Sequence, residues 1–389
     1  MTKVEDEKVR DLLREASVQQ LVAGKGRVVE VPYTASVGDT LNTMLAHNIV
    51  AVAVAAPPNH WIGAGGSMIL ESDRSTGATR KQYIGIVSAL DVLIHLAEIK
   101  EDKEAPSLLA GTRVSNIIGH CLEGLSLWAM SPHTSILDAL EPMSKGLHRA
   151  LVPVESQMGR RTSSLESEEY SPGYRMLTQT DVIRFLHSKS EVLQPILSQN
   201  IEALGAVQTH VYGVPANMTL VDTMKCMTQA SLSAVAILDY SLGGVDEDMA
   251  ESEQVQQLVL ARGKRILGTF SASDLRGCSV ESFQKWAREG ILRFLARATA
   301  ARHFGVAGSA LGASRELSQD EVDQLQRQIP LLTCYSNSAL EYVIMKALEW
   351  RVHRVWVVEE QNGLLAGVVS FSDILRVIKQ YAESAGHCN

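Results

Sequence analysis

Aromatic residues make up only 5% of this 389-residue chain, although 46% of it is hydrophobic. Its cores must therefore be packed from Val, Leu, Ile and Ala, a composition suited to helices laid tightly on sheets. Cysteine is equally scarce. Cys121, Cys226, Cys278, Cys334 and Cys388 are odd in number and scattered, with no close metal-type pair. That pattern reads as a reducing compartment, with Cys226 and Cys334 expected in packed elements. Long apolar runs are missing too: the purest, Ile49 to Ala56, is far too short to cross a bilayer. The first residues, Met1-Thr-Lys-Val-Glu-Asp-Glu-Lys8, carry charge where a signal peptide needs an apolar core. A cytoplasmic or nuclear location is the expectation. Basic excess is absent, since the net charge is −8, so neither nucleic acid nor membrane is expected as a partner.

Catalytic signatures are lacking as well. There is no Gly-x-x-x-x-Gly-Lys-Ser/Thr phosphate loop, no His-Glu-x-x-His zinc helix and no Gly-x-Ser-x-Gly nucleophile elbow. His148-Arg149 is followed by Ala150 where a kinase catalytic loop needs aspartate, and no Asp-Phe-Gly follows. Gly63-Ala-Gly65-Gly66 lacks the strand and helix of a dinucleotide fingerprint. The chain is expected not to be an enzyme.

What the chain does contain is a repeat. Gly85-x-x-Ser88-x-x-Asp91, Gly268-x-x-Ser271-x-x-Asp274 and Gly367-x-x-Ser370-x-x-Asp373 are one heptapeptide, and Arg175-x-x-Thr178-x-x-Asp181 is its variant. The aspartates lie 90, 93 and 99 residues apart, too long for a solenoid unit, so each copy is a small module. Upstream, apolar residues recur at helical spacing: Val37/Leu41/Met44, Ile136/Leu140/Met143, Leu220/Met224/Met227 and Leu340/Ile344/Ala347. A strand follows each, at Ala51–Val54, Ala150–Val154, Ala234–Ile237 and Val355–Val358, and the heptapeptide's own apolar run supplies another. With short opening segments such as Val28–Val31 and Val211–Val214, the order is strand, helix, strand, strand, helix.

These blocks resemble cystathionine-beta-synthase (CBS) repeats, over roughly residues 18 to 385. Leu332 through Leu340, His353-Arg354 and Gly367 through Leu375 are similar to the gamma subunits of AMP-activated and sucrose-non-fermenting-related protein kinases, as are Leu147-His148-Arg149 and Tyr174 through Thr178. The divergent insertions point to a plant gamma-like branch. The resemblance implies an α/β fold of four CBS repeats, at 18–99, 113–190, 205–280 and 330–385, with a helical insertion at 281–329. Two tandem pairs would then pack as pseudo-twofold dimers in a flat disc. The polar segments 57–82, 155–173 and 240–264 interrupt three modules at one place and read as loops on one face. Residues 100–112 and 187–209 are connectors. Phe283, Trp286, Ala287, Ile291, Phe294, Leu295 and Ala298 follow the spacing of one amphipathic helix, either packed on the sheet or offered to a partner. Ser318-Gln-Asp-Glu321 is a capping-box signature for one more helix, ending near Pro330.

An ionised aspartate offers only acceptors, so one at a helix start can take both hydroxyls of a ribose. It can equally cap the free backbone N–H groups and favour the positive dipole end with no ligand. The family likeness implies that Asp91, Asp181, Asp274 and Asp373 grip the ribose of an adenine nucleotide. Ser88, Thr178, Ser271 and Ser370 would help, with Ser372 a further support in module four. His148-Arg149 and His353-Arg354 precede the second strand of modules two and four, where guanidinium binds phosphate oxygens bidentately. Modules one and three have Val50 and Ser233 there. The implied protein is a non-catalytic gamma-type subunit of a heterotrimeric Ser/Thr protein kinase, partnered by a catalytic alpha and a scaffold beta subunit. It would sense AMP, ADP and ATP and carry no resident cofactor. The alternatives are a scaffold of the same assembly with vestigial pockets, and a free adenosyl-ligand sensor acting on another enzyme.

Overall fold

The computed structural model describes residues 3–56, 83–98, 109–119, 128–153, 173–239, 257–303 and 331–384, with scattered positions between 320 and 329. Helix α1 (Lys3–Glu15) and the short α2 (Val18–Val22) precede module one, which runs β1 (Glu30–Pro32), α3 (Val37–Ala46), β2 (Ala51–Ala55), β3 (Tyr83–Ser88) and α4 (Ala89–Glu98). Module two runs α5 (Ile136–Ser144), β4 (Arg149–Pro153), β5 (Tyr174–Thr178) and α6 (Gln179–Ser188), followed by α7 (Ser190–Leu197) in the connector. Module three has β6 (Tyr212–Pro215), α8 (Leu220–Gln229), β7 (Ala234–Leu238), β8 (Val259–Leu260) and β9 (Ile266–Ser271). Helices α9 (Val280–Trp286) and α10 (Ile291–His303) lead to module four: β10 (Thr333–Cys334), α11 (Leu340–Glu349), β11 (Arg354–Val358), β12 (Leu365–Ser370) and α12 (Phe371–Ser384). The expected order therefore recurs, with local exceptions.

In modules one, three and four the opening strand runs parallel to the next strand, which pairs antiparallel with the heptapeptide strand. Module two reduces its opening strand to one parallel bridge, Ala129 to Leu151. Module three differs at its end, where a 3-10 turn over Ala272–Leu275 replaces the second helix. One amphipathic helix over 283–298 is corrected to two, α9 and α10, broken around Gly290 because Thr219 pairs there with extended backbone. Phe283, Trp286, Ile291 and Phe294 are buried in the core, so this segment packs inward. Strand β8 lies inside the stretch read as the loop 240–264 and pairs antiparallel with β6. The helix expected after Ser318 falls largely outside the described residues, as do the loops 57–82 and most of 155–173.

Packing explains the pairing. The sheets of modules three and four face each other through Val211, Ala236, Leu238, Trp356, Val358 and Leu365, and Trp356 Nε1 donates to Thr269 Oγ1 at 2.6 Å. Tyr83 and Tyr174 meet edge to face at 5.4 Å between modules one and two. Helices then join the halves: modules two and four share one core, modules one and three another. Helix α1, for which the sequence reading offered nothing, buries Val9 and Leu13 in the first of these. Cys226, Cys278 and Cys334 are buried thiols, and desolvation pushes Cys278 and Cys334 up to about 12.

The opening segments are exchanged. Antiparallel bridges join Ser17 to Ser135, Arg113 to Ser36, Asn200 to Ala339 and Gly290 to Thr219, so each module's leader docks on the other member of its pair. The residue after each bridge, Val18, Val114, Ile201 and Ile291, is fully buried. Close approach of a leader also explains a heptapeptide glycine. A Cβ on Gly367 would meet Val207 Cγ1 at 2.6 Å and the Gln208 carbonyl oxygen at 2.7 Å, whereas one on Gly268 finds nothing nearer than 3.6 Å.

Gly367→Ala should therefore cost about 1–3 kcal/mol by overpacking, and Gly268→Ala should stay within about 0.5 kcal/mol. Urea unfolding of the two variants checks the contrast. A second expectation concerns the halves. Glu141 on α5 joins Lys145, the C-cap of its own helix, to Lys379 on α12, whose Nζ lies 2.6 Å from Oε2. Those hydrogen bonds hold its carboxyl at about 2, below the ordinary 4.5. A depressed carboxylate pKa stabilises the fold above the ordinary value, and that stability is lost as pH falls towards the folded value. Thermal melts between pH 4.5 and 2 should fall less steeply for Glu141→Gln, and added salt should shrink the difference.

Candidate functional site

Within each module one backbone bond brings the two halves of the candidate site together. The N–H after the heptapeptide Ser or Thr donates to the carbonyl of Val50, His148, Ser233 or His353: Ala89 at 2.8 Å, Gln179 at 3.1 Å, Ala272 at 2.9 Å and Phe371 at 3.0 Å. The His-Arg positions and the Ser/Thr-Asp positions are thus neighbours in modules two and four.

All four aspartates cap. Asp91 Oδ2 accepts from Ser88 N at 2.8 Å and Ser88 Oγ at 2.5 Å. Asp181 Oδ2 accepts from Thr178 N at 2.8 Å and Oγ1 at 2.7 Å. Asp373 Oδ2 accepts from Ser370 N at 3.0 Å and Oγ at 2.6 Å. Asp274 Oδ2 accepts from Ser271 N at 2.8 Å, while the Ser271 hydroxyl pairs with that of Ser273. The motif thus ends a strand and starts a helix or turn, satisfying N–H groups that the helix itself leaves unpaired. Each carboxylate spends Oδ2 on this task, and Oδ1 is the oxygen in question for a ligand.

In module four that oxygen has partners from the protein. Gln208 Nε2 donates to Asp373 Oδ1 at 2.7 Å, and Arg376 Nη2 lies 3.5 Å away while donating to the Gly205 carbonyl at 2.8 Å. In module two Lys25 Nζ pairs with Asp181 Oδ2 at 2.5 Å. Lys25 and Gln208 hold the same place in their leaders, three residues before Val28 and Val211. Neither was singled out from the sequence. Their signal, a polar side chain at one leader position in modules one and three, becomes visible only when the exchange of leaders is known.

Arg354 also crosses between modules. Its Nη2 donates to Ser233 Oγ at 2.7 Å and its Nη1 to the Ala234 carbonyl at 3.3 Å, both in module three. Burial pushes its pKa down to about 10, which the charge of Asp373 opposes, so the guanidinium stays protonated at neutral pH. Arg354, Asp373, Ser370 and Ser233 are therefore gathered where modules three and four meet. His353 is exposed and stacks edge-on against Phe371 at 5.4 Å. Ser372 lies elsewhere: its hydroxyl accepts from Gln179 Nε2 at 2.9 Å, across the contact with module two. His148 and Arg149 are half-buried at the start of β4, where Arg149 stands opposite Thr178 in the ladder. Among the described residues no group of three His, Cys, Asp or Glu side chains is placed to hold a metal, and no helix is long and apolar enough to cross a membrane.

A four-module chain in which each heptapeptide ends on a capping aspartate defines a class, and comparison with known proteins gives it a family. The model for the CBS domain matches residues 324–380, the fourth module. Over 366 residues the chain is 40% identical to the SNF1-related protein kinase regulatory subunit gamma-like PV42a of Arabidopsis thaliana, covering 93% of this chain and 94% of that protein. It is 41% identical to PV42b of the same plant, covering 94% and 95%. The chain belongs to this gamma-like family of CBS-domain proteins. Among solved structures, protein MJ1225 of Methanocaldococcus jannaschii, a proposed archaeal homologue of γ-AMPK, superposes with a TM-score of 0.54. The match covers 93% of this chain and 99% of that one at 13% identity, a likeness of fold alone.

Because the aspartates cap whether or not a ligand is present, Asp373→Ala should destabilise the chain with no nucleotide added. Leaving the Ser370 N–H and Gln208 without their acceptor should cost about 1–3 kcal/mol. Thermal unfolding of the ligand-free chain, compared with Asp373→Asn, which keeps one acceptor oxygen, measures it.

Proposed function

We propose that this chain is a non-catalytic, gamma-type regulatory subunit of a heterotrimeric Ser/Thr protein kinase, and that adenine nucleotide binds where modules three and four meet. The catalytic alpha and beta subunits are its partners in this reading, which implies the cytoplasm and nucleus as its compartments. Family membership supports the regulatory half. The observation that carries the nucleotide half is Arg354 reaching from module four to Ser233 of module three, beside Asp373. A cation for phosphate and an acceptor for ribose then stand at one junction.

Binding is an exchange of partners. Phosphate would draw the guanidinium from Ser233 and the Ala234 carbonyl, and ribose would displace Gln208 from Asp373 Oδ1. Gln208 belongs to the leader of module three, so the ligand acts on the segment that ties the pair together. AMP, ADP and ATP compete in this scheme, and a nucleotide shifts the kinase only by its differential affinity for two states. The same contacts support a second reading. Arg354 and Asp373 already have protein partners, as they would in a scaffold that no longer senses nucleotide.

Calorimetry of the full chain with AMP, ADP, ATP and adenosine separates the two. Arg354→Ala removes a charge-assisted bond of ~1.5–3 kcal/mol, so nucleotide affinity should fall on the order of tenfold to a hundredfold while adenosine is little changed. Asp373→Ala should weaken all four ligands. Wild-type chain binding none of them would leave the scaffold.

A further inference from the structure

The four modules serve as controls for one another. At the start of the first helix, modules one to three carry Ser36, Ser135 and Thr219 as N-caps. Each accepts from the backbone N–H of an aspartate three residues on, Asp39, Asp138 or Asp222, and donates its hydroxyl to that carboxylate. Module four abandons the device. Its cap is Ala339, which makes no side-chain bond, and Tyr342 stands where the aspartate should be. One turn on, the position held by Asn42, Glu141 and Lys225 is Met345. The C-cap, His47, Lys145 and Ala230 in the sister helices, is Trp350. Four residues before the cap, where the others place Pro32, Ser131 and Pro215, module four has Tyr335.

All four replacements lie in solvent: Tyr335 is 44% exposed, Tyr342 40%, Met345 44% and Trp350 51%. Three sister helices fold without them, so packing within the module does not call for them. A lost cap weakens a helix start, and exposed aromatics carry an aggregation hazard. Changes that give up local stability and expose large apolar side chains on and beside one helix are the mark of a contact surface.

We propose that the exposed surface on and beside α11 docks a short segment of a partner polypeptide, apolar at its centre and carrying a carboxylate. The size of the face speaks against a second copy of the chain. Four side chains at these exposures present on the order of 400 Å², about half of the ~800 Å² per partner that a standard interface buries. That area suits one or two anchoring side chains. The charge follows from Lys346, whose Nζ lies 4.7 Å from the centre of the Tyr342 ring and donates to the Thr333 carbonyl at 3.2 Å. A cation is thus held beside the aromatic anchors, where an acidic side chain can meet it. The partner is taken to belong to the kinase assembly, so this inference rests on the regulatory half of the function proposed above.

The test uses the full chain, with the co-expressed catalytic and beta subunits of a SNF1-related protein kinase as the probe. The double variant Ala339→Ser, Tyr342→Asp rebuilds the cap of the sister helices, so its Tm should equal or exceed that of the wild type. Its affinity for the kinase pair should fall at least tenfold, and Trp350→Ala should weaken binding as well. Lys346→Met, which keeps the apolar stem, should also bind less tightly, and unchanged binding there overturns the carboxylate. If the wild type binds and the double variant binds equally well, the docking face is wrong and the regulatory reading stands. No binding by the wild type overturns both. Should sedimentation show a wild-type dimer that the double variant dissolves, the occupant is a second copy and the proposal fails.

Discussion

Four antiparallel bridges, Ser17 to Ser135, Arg113 to Ser36, Asn200 to Ala339 and Gly290 to Thr219, exchange the opening segments within each pair of modules. Each bridge satisfies backbone groups beside the cap of the other module's first helix. Each is followed by an aliphatic side chain driven fully into a shared core. A module cut from its pair would lose its neighbour's anchor and leave its own in water. The sheets cannot separate without breaking those bonds, and the outer helices are left to join the halves. The break near Gly290 has the same origin, because a continuous helix there could not supply the extended backbone that Thr219 needs.

The leaders also reach the candidate site. Lys25 and Gln208 arrive at the aspartates of modules two and four only because their segments cross the pair. A carboxylate with two oxygens can therefore be a cap and a site at once: Oδ2 holds the helix start, and in module four Oδ1 faces a side chain from the neighbouring module. Cap and ligand are not rival roles in this geometry. Under the proposed function a ligand would displace Gln208 from that oxygen, and the free energy of that competition would be the means by which occupancy alters the pairing.

Repetition preserves backbone relations more faithfully than side chains. The same N–H to carbonyl bond recurs at Val50, His148, Ser233 and His353, whatever the side chain. A turn at positive φ recurs at Asn48, Gly146, Ser231 and Arg351. Side chains at matched positions have gone separate ways. Ser233 receives the guanidinium of Arg354 from the matching end of its sister strand, so a residue that offers no charge completes a charged contact. In module three the shortened second helix is backed by α9 and α10, whose Phe294 packs edge-on against Phe270 at 5.9 Å.

By itself the sequence determined the fourfold repeat, the element order apart from the start of module two and the end of module three, and the Ser/Thr-x-x-Asp boxes, which it left open between cap and ligand contact. All of these are local: period, turn chemistry and a Ser/Thr-x-x-Asp box act within a few residues of chain. It placed Cys226 and Cys334 in packed elements for the same reason. Tertiary structure decided which leader serves which module, that Ser372 looks towards Gln179 of module two, and that Arg354 engages module three. It also decided that Asp373 meets Gln208, 165 residues away. Those contacts join residues 120 to 193 positions apart, so no local pattern marks them. Helix α1 escaped notice because its Val9 and Leu13 gain meaning only against the packed faces of α5, α7 and α12. Side chains so placed are specified by the surface they complete, and that surface exists only once the modules have paired.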